Sequence, residues 1–162
     1  MLKLYLDTSA FIKRFLIEPG SDCIDLVFTE AEAGDLVLTI SVWNIGEALG
    51  VFDQRRRRDL LSQSEFEQVQ GAMGEQLLRL IRLRSMEIKP VESHLLTRTW
   101  DLIKTHHLYQ ADALQIATCM ENKNDALVSG DEALVKASEK EGLNAIYLPD
   151  DEKELTSLIS KH

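Results

Sequence analysis

Leu2-Lys3-Leu4-Tyr5-Leu6-Asp7-Thr8-Ser9-Ala10-Phe11 is the stretch from which the fold can be read. Leu2, Leu4, Tyr5 and Leu6 form a short apolar run, broken only by Lys3, of the kind that makes a buried strand. The run ends on Asp7, and Thr8 and Ser9 supply N-cap chemistry for a helix beginning Ala10-Phe11-Ile12-Lys13. Asp7 is therefore expected at the carboxyl end of a central strand, just before a helix N-terminus. In an open α/β sheet that edge is where ligands bind. Aspartate is also a favoured cap, so on this stretch alone Asp7 is either a cap or a site residue. Other acids arriving at the same edge would decide it.

Outward from there, strand-like runs recur at residues 36–40, 86–91, 126–131 and 144–148. Helical patterns fill the intervals. One spans 21–33, ended by Gly34. A second is capped by Ser41 and runs through Trp43, Ile45, Glu47, Ala48 and Leu49 towards Arg55-Arg56-Arg57-Arg58. A long amphipathic helix over 62–83 carries a stripe of Phe66, Val69, Met73, Leu77 and Leu80. Others span 92–104, the apolar stretch Leu108 to Met120, and 132–140, and the last starts at Asp150. Five short apolar strands separated by helices predict a parallel sheet covered on both faces, with right-handed crossovers. The long connection between the second and third strands is expected to form a helical hairpin.

A chain of 162 residues suits one domain, 1–162, with a proper core. It is 44% hydrophobic and 28% charged, the balance of a soluble globular protein. It has neither eighteen uninterrupted apolar residues nor a basic signal-peptide start, so a cytoplasmic protein without membrane contact is expected. Cys23 and Cys119 form no C-x-x-C pair and read as small buried residues. A net charge of −9 argues by itself against a nucleic-acid binder. The argument weakens if several acids hold divalent cations, which reverse the local sign.

Four acids stand out. Asp7 and Asp131 each follow a strand at its carboxyl end and meet across the crevice if strands one and four are neighbours. Asp112 lies in the first turn of a nearly all-apolar helix, where an unpaired carboxylate costs several kcal/mol. Its positions i−3 and i−4, Tyr109 and Leu108, offer no cation. Glu47 has the same character on its helix. Converging acids without basic partners make a hard oxygen site, suited to Mg²⁺ or Mn²⁺.

The runs L-D-T-S-A-F-I-K, S-V-W-N-I-G-E-A, Y-Q-A-D-A-L-Q-I-A-T and L-V-S-G-D-E-A-L, in this order, resemble the PIN-domain nucleases, most closely the VapC-type toxins of toxin–antitoxin pairs. The resemblance runs from Leu2 to about Tyr147. It implies that Asp7, Glu47, Asp112 and Asp131 are the family's four acidic catalytic positions, with metal held by Asp7 and Asp112. Ser129 matches the hydroxyl residue before the last acid, and Thr8 or Ser9 the one after the first. A PIN-like three-layer α/β/α fold with strand order 3-2-1-4-5 follows from it. So do divalent-metal dependence, endonucleolytic cleavage of RNA, a homodimer and a cognate antitoxin partner.

Other features have plainer readings. His106 and His107 mark a helix break and are expected at the surface. Trp43 and Tyr109 are close to acids and are able to stack on bases, with core packing the expected role for Trp43. The Phe66–Leu80 stripe is either core or an interface. The four arginines are either a solvated face or a basic rim for RNA. A catalytically silent PIN-like binding module is the first alternative function. The second, a phosphoacceptor signalling domain, wants paired acids after the first strand and a lysine after the last. The sequence has Asp7-Thr8 and Leu148-Pro149 there.

Overall fold

The computed structural model describes residues 1–148 and 150–161; Pro149 and His162, both within the expected domain, lie outside the described residues. Five parallel strands, β1 (Leu2–Leu6), β2 (Leu36–Ser41), β3 (Met86–Lys89), β4 (Ala126–Ser129) and β5 (Ala145–Tyr147), form one sheet in the order β3-β2-β1-β4-β5. This is the expected order, with the first strand at the centre. Leu4 pairs with Leu38 on one side and Ala126 on the other, and Asp7 N–H donates to the Val128 carbonyl at 3.1 Å. Asp7 therefore leaves the sheet beside the end of β4, where Ser129 to Asp131 begin their turn.

Alternation along the strands divides the core. Leu2, Leu4 and Leu6 face one side, together with Leu36, Leu38, Ile40, Ala126, Val128 and Ile146. Helices α1 (Thr8–Phe11), α2 (Ser21–Ala33), α3 (Val42–Arg57), α4 (Gln63–Leu83) and α8 (Glu152–Ser160) cover that face. Tyr5 and Leu127 face the other side, under α5 (Ser93–His106), α6 (Gln110–Glu121) and α7 (Glu132–Lys140). The result is the expected three-layer α/β/α arrangement. Phe11, Phe15, Phe28 and Phe52 pack with centroid separations of 5.3–6.4 Å on the first face. Each fully buried apolar side chain of this size contributes roughly 1.5–3 kcal/mol by leaving water.

Several local expectations are refined. The first helix is only Thr8–Phe11, continued by a 3₁₀ turn over Ile12–Arg14, and Asp7 itself is its N-cap, accepting from Ala10 N–H at 2.8 Å. Capping by Thr8 and Ser9 is thus corrected: the Thr8 hydroxyl donates to Glu47 and the Ser9 hydroxyl to Asp7 itself. Gly34 closes α2 at φ +88°, which an L side chain adopts only under strain. The α3–α4 hairpin is present between β2 and β3, and α4 starts on a Ser62–Glu65 capping box. Met73, Leu77 and Leu80 are buried in the chain's own core with Phe66 and Val69 packed on them, so the stripe is core.

His106 is not a surface residue. Its side chain is 6% exposed and pairs with Glu141 at 2.6 Å, tying the end of α5 to the residue after α7. His107, in the left-handed region at φ 56°, ends α5. Both cysteines are buried and unpaired, and burial pushes the Cys119 thiol up to about 12, leaving it inert. Among the described residues no helix is long and apolar enough to cross a membrane.

A carboxylate cleft at the sheet edge

At the carboxyl edge of β1 and β4 a cleft of about 240 Å³ is lined by Asp7, Thr8, Ser9, Ile12, Glu47, Val51, Asp112, Gln115 and Asp131. All four acids singled out in the sequence line it. The topology accounts for this. β1 delivers Asp7, β4 delivers Asp131 beside it, α3 enters from β2 carrying Glu47, and α6 crosses the other face carrying Asp112.

Asp7 is the most constrained. Ser9 Oγ lies 2.8 Å from both of its oxygens, Ser129 Oγ donates to Oδ2 at 2.9 Å, and Ala10 N–H donates to Oδ1. Burial nevertheless pushes its carboxyl from 3.8 up to about 6, with these hydrogen bonds pulling the other way. Ser129 Oγ also accepts from Asp131 N–H at 2.9 Å, and Ser9 Oγ accepts from Gly130 N–H at 2.7 Å. Gly130 packs closely against its neighbours in that turn. A Cβ on Gly130 would lie 3.2 Å from Ser9 Oγ and 3.3 Å from Lys13 Cε. Asp131 sits exposed at the rim and caps α7, accepting from Ala133 N–H at 2.8 Å and Leu134 N–H at 3.2 Å through Oδ1.

Glu47 is held from behind. Thr8 Oγ1 and Gln115 Nε2 (2.9 Å) both donate to its Oε2, which leaves Oε1 to the cleft. Of the two hydroxyls after Asp7, Thr8 thus serves Glu47 and Ser9 serves Asp7. Asp112 is half-buried, and its carboxyl is raised first by burial, then by the charges of Asp131 and Glu47, against a hydrogen bond from the Tyr109 backbone. These charges are close enough to repel.

Among the described residues none of the four acids is in an ion pair. The nearest buried cation, Lys13, pairs with Glu18 at 3.3 Å, and Glu18 also takes Arg55. Arg56 and Arg57 both bond Asp53 at 2.8 Å, and Arg56 lies over Phe66. Three of the four consecutive arginines are thus already engaged with the chain's own side chains.

Among the described residues no three acidic, histidine or cysteine side chains form a compact ligand cluster. The donor set still suits Mg²⁺ or Mn²⁺. These ions keep several waters and bind through one or two carboxylates, and the uncompensated charge of this cleft is what a bound cation would neutralise.

Three residues that the motif reading passed over build the floor. Tyr5 Oη donates to Gln115 Oε1 at 2.6 Å and lies 3.2 Å from Asn44 Oδ1; Asn44 Nδ2 donates to Thr8 Oγ1 and Gln115 Oε1 at 3.0 Å each. All three side chains are buried, and burial holds the Tyr5 phenol well above its ordinary value, so it remains a neutral donor. One local signal existed. An amide at Gln115 interrupts an apolar helix one turn after Asp112, on the same face. Trp43, expected in the core, is instead 45% exposed.

Among proteins of known structure, similar folds include VapC20 of Mycobacterium tuberculosis, a sarcin–ricin loop cleaving toxin. It is 15% identical, with a TM-score of 0.58, over 83% of this chain and 94% of that one. FitAcB of Neisseria gonorrhoeae is 15% identical at a TM-score of 0.61, over 88% and 95%. VapBC2 of Rickettsia felis, solved with a promoter DNA fragment, is 15% identical at 0.60, over 90% and 98%. No curated protein matches the sequence. The PIN domain family model matches residues 4–140, a span that contains all four acids of the cleft, and the chain therefore belongs to the PIN domain family.

Proposed function

We propose that this protein is a divalent-metal-dependent endoribonuclease, the toxin of a type II toxin–antitoxin pair, acting as a cytoplasmic homodimer of one domain per chain. The observation that carries the reading is the cleft itself, four carboxylates at one sheet edge, none of them ion-paired among the described residues. PIN family membership supports nuclease chemistry. The similar folds of VapC20, a toxin that cleaves the sarcin–ricin loop, and of VapBC2 support the toxin role, the RNA substrate and the antitoxin partner.

Mg²⁺ or Mn²⁺, when bound, polarises a phosphoryl oxygen and lowers the pKa of a water for attack on phosphorus. Asp7 and Asp112 are assigned to hold it. Asp7 is positioned for this by its cap bond and two serines, which fix the plane of its carboxylate. Asp112, raised by burial and then by the charges of Asp131 and Glu47, would be relieved by a cation. Glu47 offers Oε1 and Asp131 offers Oδ2 to orient water, since each has its other oxygen tied back to the protein. Thr8 and Ser129 support the acids and touch no substrate.

Purified protein is expected to cut RNA in Mn²⁺ or Mg²⁺ and to stop in EDTA. Cleavage that persists in EDTA would remove the metal from the mechanism. A protein that binds Mn²⁺ and RNA yet never cuts would be the silent binding module instead.

A further inference from the structure

Each of the two helices that bring an acid into the cleft carries a solvent-exposed aromatic residue one turn earlier. On α3, Trp43 precedes Glu47 by four positions and shares its face; on α6, Tyr109, the N-cap, precedes Asp112 by three. Trp43 is 45% exposed and Tyr109 84%. Trp43 forms a wall of an apolar concavity of about 510 Å³ with Val42, Gly46, Glu47 and Val91. This concavity and the carboxylate cleft share Glu47, so they are adjoining compartments of one surface.

We propose that the Trp43 concavity is a nucleobase subsite, on which a base flanking the scissile phosphate stacks. The inference rests on the ribonuclease reading and adds the source of substrate affinity. A chain of net charge −9 attracts a polyanion poorly, and three of its four consecutive arginines are already paired with Glu18 or Asp53. Bases are neutral and present a π-face whatever their identity. Stacking on an aromatic side chain therefore holds any base, without readout of its sequence. It releases no counterions, whereas phosphate contacts weaken steeply with salt. A strand anchored by a base over Trp43 needs a cation only at the phosphate, where the acids would hold one. The volume lies within the range of small-molecule pockets, roughly 300–1,000 Å³.

The test uses a short single-stranded RNA, with Ca²⁺ replacing Mn²⁺ to hold cleavage back, and measures affinity at two salt concentrations. Trp43→Ala is expected to weaken binding about tenfold, the loss of one stacked base at 1.4 kcal/mol per decade. The loss should be equal at both salts, and Trp43→Phe should recover most of it. Gly46→Leu supplies a control against misfolding. A Cβ at Gly46 meets nothing within 4 Å, and leucine is the better helix former. This variant should melt no lower than wild type and still lose RNA affinity. Melting shifts with Mn²⁺ should be unchanged in all three variants.

If Trp43→Ala and Gly46→Leu bind RNA like wild type while wild type cuts RNA, the subsite is wrong and the nuclease reading stands. If they change only the sedimentation of the protein, this face joins two copies of the chain, and the subsite is again wrong. If wild type neither binds nor cuts RNA, both readings fall.

Discussion

Gln115 Nε2 donates to Glu47 Oε2 at 2.9 Å, across 68 residues of sequence and between helices on opposite faces of the sheet. Glu47 therefore hangs from Thr8 and from a buried polar floor of Gln115, Asn44 and Tyr5 that is hydrogen-bonded throughout. Removing one member takes a partner from each of the others it touches. Gln115→Leu is predicted to cost about 1–3 kcal/mol in denaturant unfolding, because the Tyr5 hydroxyl, the Asn44 amide and Glu47 each lose one hydrogen-bond partner. It should also weaken Mn²⁺ binding, because Glu47 loses one of its two anchors. An unchanged stability would mean that water or a rotated Asn44 replaces the amide.

The Asp7 carboxyl is raised from 3.8 to about 6 by burial, so the native state binds its proton more tightly than the unfolded chain does. The Asp7 contribution to stability without metal should fall by up to about 3 kcal/mol as pH rises from 3.8 to 6 and be level above that. Asp7→Asn keeps an oxygen for the Ala10 cap bond and loses the charge. It is predicted to be more stable than wild type at pH 7 in EDTA and to lose that advantage near pH 4. A difference independent of pH would show that the Asp7 carboxylate carries no ionisation penalty.

Ser129 is the group that most directly tempers that penalty from β4, since its hydroxyl stabilises the charged form of Asp7. Ser129→Ala is predicted to move the pH midpoint of stability upward and to cost about 1–3 kcal/mol at pH 7. The cost should shrink at pH 4, where Asp7 is protonated. Equal losses at both pH values would assign Ser129 to the Asp131 turn alone.

The sheet and the four acids were legible because the signals that mark them are local. Leu2–Leu6 and Ala126–Ser129 are short apolar runs that end on Asp7 and, two residues later, Asp131, and the placement at a sheet edge follows from parallel topology. The neighbouring of β1 and β4 came through the family resemblance, because nothing in the two strands names a partner. Asn44 and Gln115 were missed since their roles exist only once α3 and α6 meet across 71 residues. Trp43 was misplaced for a related reason. Its apolar character signals burial, and only the assembled edge shows that no element of the described chain covers it. His106 was misjudged because its partner, Glu141, is 35 residues away.

Asp7 and Asp112 are the carboxylates proposed to hold the cation in this cleft, and a Mn²⁺ titration of the melting temperature tests this most directly. Wild type should be stabilised by Mn²⁺, by about 2.7 kcal/mol at a hundredfold excess over Kd. Asp112→Asn should begin higher than wild type in EDTA at neutral pH, because a carboxyl that burial disfavours as the anion and that Asp131 and Glu47 repel is gone. It should gain much less from Mn²⁺ and cut no RNA. An Asp112→Asn variant that melts below wild type in EDTA and gains as much from Mn²⁺ would contradict the account.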